Sequence, residues 1–157
     1  MAPVGGGSGF NELEILTEVN IWRRQNGGVS VSSATGFLMP NGAMRSPDAC
    51  WVNETKWSQL TETQKKKFPP IVPDFIVEIR SESDSLKMLR AKMEEWVENG
   101  IRLGWLVDTQ NKQVFIYRAD GSIEIVKGFD NKLSGEDVME GFEFDLSRLK
   151  MLSLIHI

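Results

Sequence analysis

The sequence predicts an α/β fold built on a mixed β-sheet with helices against it. Three observations carry this. Phe75-Ile76-Val77-Glu78-Ile79 is a near-continuous apolar run, the mark of a central strand covered on both faces. Residues 85–98 form an amphipathic helix directly after it. Leu103–Asp108 and a hairpin then follow, so strands and helices alternate along the chain.

In chain order, residues 1–10 are rich in Gly, Pro and Ser without an apolar period, which predicts a flexible lead-in. A glycine tract can cradle phosphate, but no strand precedes this one and no Gly-Lys-Ser/Thr ending follows it, so a linker is expected. Ile15, Val19 and Trp22 then recur at helical spacing, predicting a helix over 11–25 that Asn26-Gly27-Gly28 ends. Val29–Met39 reads as one extended segment, and Pro40-Asn41-Gly42 as a turn. Asp48–Asn53 is expected to be a short strand, and 54–70 a polar loop with a short helix near 61–68. Ser83-Asp84-Ser85 supplies capping chemistry for the helix that carries Leu86, Leu89, Met93, Trp96 and Val97. Val114–Arg118 and Ile123–Val126 pair across Ala119-Asp120-Gly121. The domain is expected to span 11–150, leaving 151–157 as an apolar tail that contains the only histidine, His156.

The 157 residues suffice for one domain with one core. No run approaches the ~20 apolar residues of a membrane span, and no secretory signal opens the chain. One cysteine, Cys50, excludes an internal disulfide or thiolate cluster, so the default compartment is the cytoplasm. A net charge of −4 argues against a general nucleic-acid coat. It leaves room for an acidic metal site with a local basic rim.

Glu78 is the anomaly. An ionised side chain inside a buried strand is costly unless it is paired or bound to a cation. Asp74 lies on the same face but roughly 13 Å along the strand, too far to share one ion with it. Asp48, after Pro47, can share one if its strand pairs beside Phe75–Ser81, because cross-strand neighbours sit about 5 Å apart. Alone, Asp48 also fits a turn-ending role, and Glu78 also fits an ion pair with Arg80. Lys92 lies ~60° from Leu89 on the helical wheel, at the flank of the apolar stripe, where it can look over the sheet or snorkel along the core edge. Two carboxylates and a lysine are the minimal kit for metal-assisted phosphodiester hydrolysis.

The strings Arg45-Ser46-Pro47-Asp48-Ala49, Phe68-Pro69-Pro70, Pro73-Asp74-Phe75-Ile76-Val77-Glu78-Ile79-Arg80-Ser81, Asp84-Ser85-Leu86, Lys92-Met93 and Leu103-Gly104-Trp105-Leu106 together resemble the Uma-type restriction endonuclease family. This bacterial group was formerly a domain of unknown function and belongs to the PD-(D/E)XK nuclease superfamily. The resemblance runs from about Met1 to Lys150. It implies a restriction-endonuclease-like α-β-β-β-α-β core, Mg²⁺ (or Mn²⁺), and hydrolysis of DNA by a homodimer. By position, Asp48 and Glu78 match the metal-binding acids. The superfamily lysine two residues after the glutamate is replaced here by Arg80, and its role falls on Lys92. The first-helix acid is matched by Glu18, or replaced by Asn11. Members of the family usually begin with a helix and a hairpin ahead of the stretch matching Met1–Gly9. If that hairpin completes the sheet, the resemblance implies a truncated product with an exposed edge strand.

Three functions compete at this point. One is a Mg²⁺-dependent DNA endonuclease using Asp48, Glu78 and Lys92. The second is a catalytically inactive nuclease-fold DNA-binding module. The third is a protein-interaction module using exposed tryptophans such as Trp51 and Trp57.

Overall fold

A computed structural model describes residues 3–149; the tail 151–157 and His156 lie outside the described residues. The first element is helix α1 (Gly6–Asn26). It starts five residues before the sequence pattern suggests, so most of the glycine tract is helical rather than linker. Its buried face is Asn11, Ile15 and Val19, the 3.6-residue stripe that sequence periodicity detects.

The expected extended segment 29–39 is broken. Val29 makes an isolated bridge to Val52, and the amide of Thr35 bonds the Ser32 carbonyl in a turn. Only β1 (Phe37–Leu38) is a strand, and it pairs with β2 (Met44–Arg45). β-branched residues marked the region as extended but did not reveal where backbone hydrogen bonding would interrupt it. Strand β3 (Ala49–Trp51) is followed by two one-turn helices, α2 (Glu54–Ser58) and α3 (Glu62–Lys66). The second opens with a complete Thr61–Gln64 capping box.

β4 (Phe75–Ile79) is buried at all five positions, as its apolar run predicts. It lies between antiparallel β3 and parallel β5 (Leu103–Asp108) in a five-stranded sheet, order β3-β4-β5-β6-β7. Helix α4 (Leu86–Glu98) makes the β4–β5 crossover. β6 (Gln113–Arg118) and β7 (Ile123–Lys127) complete the sheet as the expected hairpin. A further hairpin, β8 (Lys132–Ser134) and β9 (Glu143–Asp145), was not foreseen.

The sheet separates two apolar clusters by strand parity. Phe75, Val77 and Ile79 pack with Ile15, Val19 and Trp105 on the α1 side. Ile76 packs with Cys50, Met93, Trp96 and Leu106 on the α4 side. Glu78 shares parity with Ile76 and therefore points toward α4.

Trp51 is not an exposed contact residue. It is buried, its indole N–H donates to the Gly27 carbonyl at 3.0 Å, and Trp22 meets it edge-on at 5.2 Å. Gly28, at φ +84°, makes that seat possible: a Cβ there would overlap the Trp51 indole. Trp57 is folded against the α4-side core. Apolar rings were more favourable packed than exposed.

Candidate active site

β3 and β4 pair with Ala49 opposite Val77 and Cys50 opposite Ile76. One further step in this register sets Asp48 against Glu78. The pairing assumed from sequence is therefore present, and it brings the two carboxylates to the same sheet end. Asp48 Oδ2 accepts a 2.7 Å hydrogen bond from the Ile79 amide, which fixes its side chain across the strand ends.

Glu78 is 2% exposed. Its Oε2 accepts from Lys92 Nζ at 2.8 Å and from the Trp96 indole N–H at 3.2 Å. Both donors come from α4, four residues apart and so on one helix face. Both bonds fall on the same oxygen, Oε2. Arg80 is engaged elsewhere: its Nη1 is 3.2 Å from Asp108 Oδ1 and its Nε donates to the Asp84 carbonyl. The alternative Glu78–Arg80 pair is thereby replaced, because Arg80 follows the end of β4 and turns toward β5.

Asp48, Glu78 and Lys92 line one cavity of about 290 Å³, together with Glu12, Ser46 and Asp84. Burial, and then the nearby Glu78 carboxylate, push the Asp48 carboxyl up to about 7. The Ile79 amide and Lys92 oppose that shift, and Glu12 adds to it. A carboxyl raised first by burial and then by an acidic neighbour is one whose charged form a nearby cation would favour. Two carboxylates lining one cavity are hard oxygen donors of the kind that suits Mg²⁺ or Mn²⁺. Among the described residues, no group of three or more metal-ligating side chains is assembled.

Glu12 is the residue that sequence reasoning missed. It sits on α1 beside the buried Asn11, and its Oε2 accepts from Ser33 Oγ at 3.1 Å. Glu18 is elsewhere, 3.7 Å from Arg148, and Asn11 lines a different cavity. The available signal was position: Glu12 lies one turn before Ile15, nearer the start of the helix, which is the end that meets the cavity. Asp74 is separate, as its spacing requires. It accepts from the Asn53 amide at 2.7 Å and from Asn53 Nδ2, with Lys56 Nζ at 3.5 Å and Arg102 Nη1 at 3.7 Å.

A family model described as "Putative restriction endonuclease" (Uma2) matches residues 1–147. The chain belongs to the Uma2 family. Within solved structures, this Uma2 chain is similar to a crystal structure of a putative nuclease belonging to DUF820 from Anabaena variabilis. The two are 19% identical, with a TM-score of 0.78, over 97% of this chain and 84% of the other. That likeness establishes a shared fold. No curated protein matches the chain.

Proposed function

We propose that this protein is a metal-dependent DNA endonuclease, with Asp48 and Glu78 holding Mg²⁺ or Mn²⁺ and Lys92 assisting the attack of water. The observation that carries the reading is convergence. Three side chains from β4, α4 and the residue before β3 meet in one cavity, and one carboxyl there is pushed up to about 7 by burial and by its acidic neighbour. Membership of a family described as putative restriction endonucleases supports DNA as the substrate class.

When bound, the metal would supply Lewis-acid polarisation of the scissile phosphate. The chain's own residues do the rest. The Asp48 and Glu78 carboxylates would hold the cation, Asp48 being fixed by the Ile79 amide and Glu78 by Trp96. Lys92, an ammonium 2.8 Å from Glu78, is a donor. It orients the attacking water through the water's lone pair and stabilises the negative charge that grows on the phosphate oxygens. The water oxygen forms the new P–O bond and gives up its proton to solvent, the ester P–O bond breaks, and the leaving oxygen takes a proton from solvent. A homodimer would offer one such site to each strand of a duplex.

The test is incubation of the protein with supercoiled plasmid and Mg²⁺ or Mn²⁺, beside Asp48→Ala, Glu78→Ala and Lys92→Ala. Nicking or linearisation that disappears in the carboxylate variants supports the reading. A wild-type protein that binds DNA with a salt-dependent affinity but never cuts it would instead be a binding module.

A further inference from the structure

A second, larger cavity of about 610 Å³ adjoins the metal-site cavity and shares Ser8, Ser81 and Ser83 with it. One wall is the start of α1. Its first helical bond runs from the Gly9 amide to the Gly5 carbonyl, so the N–H groups of Gly6, Gly7 and Ser8 have no acceptor within the helix. Gly5 caps without a side chain, and no acid stands in the first turn to offset the positive helix end. The other wall carries Arg80. Its Nε is held by the Asp84 carbonyl and its Nη1 by the fully buried Asp108, which also accepts from Asn111 and Gln113. Neither bond uses Nη2, and Arg80 lines the cavity. Between the walls lies Asn11, 5% exposed, whose Oδ1 has no hydrogen-bond partner. Half a turn of that amide exchanges the orphan acceptor for a donor.

We propose that this cavity is a phosphate subsite, in which the amides of Gly6, Gly7 and Ser8, the Arg80 guanidinium and the Asn11 amide hold a backbone phosphate next to the scissile one. Its place in catalysis rests on the endonuclease reading above; its affinity for phosphate does not. Helix-start amides and a pinned guanidinium are both matched to phosphate oxygens. The shared serines make the two cavities one continuous track. Occupying the second would fix the register of the strand over Asp48 and Glu78.

The experiment is an ¹⁵N NMR titration of the metal-free full chain. The probes are inorganic phosphate and one DNA duplex prepared with 5′-phosphate or with 5′-hydroxyl ends. Saturable shifts are expected at Gly6, Gly7, Ser8 and Arg80 Nε. Gly6→Glu should weaken binding roughly tenfold or more by adding a carboxylate beside the helix start. A Cβ at Gly6 meets nothing within 4 Å, and an acid in the first turn favours the helix, so the thermal midpoint should hold or rise. Arg80→Gln should weaken binding likewise; should loss of the Asp108 pair unfold it, Gly6→Glu still decides. Equal responses to both duplexes support an internal phosphodiester. A response only to free phosphate and the 5′-phosphorylated duplex overturns that part in favour of a strand end. Absent shifts, or unchanged affinity in Gly6→Glu, overturn the subsite. A protein that never cuts plasmid but still shows these shifts would lose the endonuclease reading and keep the subsite.

Discussion

Lys92 Nζ lies 2.8 Å from Glu78 Oε2, an ion pair that ties α4 to the central strand beside the cavity that Asp48 also lines. The Glu78 side chain is 3% exposed and that of Lys92 32%. The pair is therefore asymmetric, a buried anion held by a cation that still reaches solvent.

Removing the cation should cost stability as well as activity. Lys92→Met leaves the Glu78 carboxylate with Trp96 as its remaining donor, a loss of about 1–3 kcal/mol. Urea unfolding should register it. Mg²⁺ should restore more stability to Lys92→Met than to wild type, since the ion takes over the vacated charge role. Equal Mg²⁺ effects on both proteins would argue against Glu78 as a ligand.

Metal affinity should depend on pH through Asp48. Its carboxyl is pushed up to about 7, first by burial and then by Glu78. Below that value a cation must displace a proton, so affinity should rise about tenfold per pH unit and level off above it. Without metal the sign for stability is the opposite. Between an unfolded value of about 4 and the native one, the folded state holds the proton more tightly, so stability falls as pH rises through that window. Calorimetric titration with Mg²⁺ and urea midpoints at pH 5 to 8 check both; Asp48→Asn should flatten each curve.

Glu12 should act on the cation through the same cavity. Glu12→Gln removes negative charge near Asp48 and should weaken Mg²⁺ binding by about tenfold, the scale of an outer-shell change. It should also lower the pH at which binding levels off, because one upward push on Asp48 is gone. Glu18→Gln, placed at Arg148, should change neither.

Asp74 provides the contrast. Its carboxylate is 1% exposed and satisfied by Asn53, Lys56 and Arg102. Asp74→Ala should cost about 1–3 kcal/mol, since it removes the acceptor of the half-buried Asn53 amide and the anion facing Lys56 and Arg102. Mg²⁺ affinity of the folded fraction should stay at the wild-type value. A thermal melt and a metal titration on one sample separate the two effects.

The elements that formed as read are those with strong local patterns. The apolar run around Ile76 became the central strand, and Leu89, Met93 and Trp96 marked the buried side of α4. What was misread lacked such a pattern. Residues 6–10 are glycine-rich yet helical, extending α1 ahead of its buried face at Asn11, Ile15 and Val19. The 29–39 segment has β-branched residues but meets a partner strand only at Phe37 and Leu38. β8 and β9 are three residues each, too short for an alternation to show.

For the site, the sequence by itself determined that Glu78 had to be compensated and that Asp74 was too far along the strand to share a partner with it. Both follow from burial cost and strand rise, which are local quantities. Which groups stand around Glu78 was decided only by tertiary structure. The β3–β4 register brings Asp48 to it, the crossover helix delivers Lys92 and Trp96, and the start of α1 adds Glu12. Arg80, two residues from Glu78 in sequence, goes instead to Asp108. Electrostatic partnership depends on distance in space, and that distance is set by strand pairing and helix packing among residues up to 66 positions apart, as Glu12 and Glu78 are.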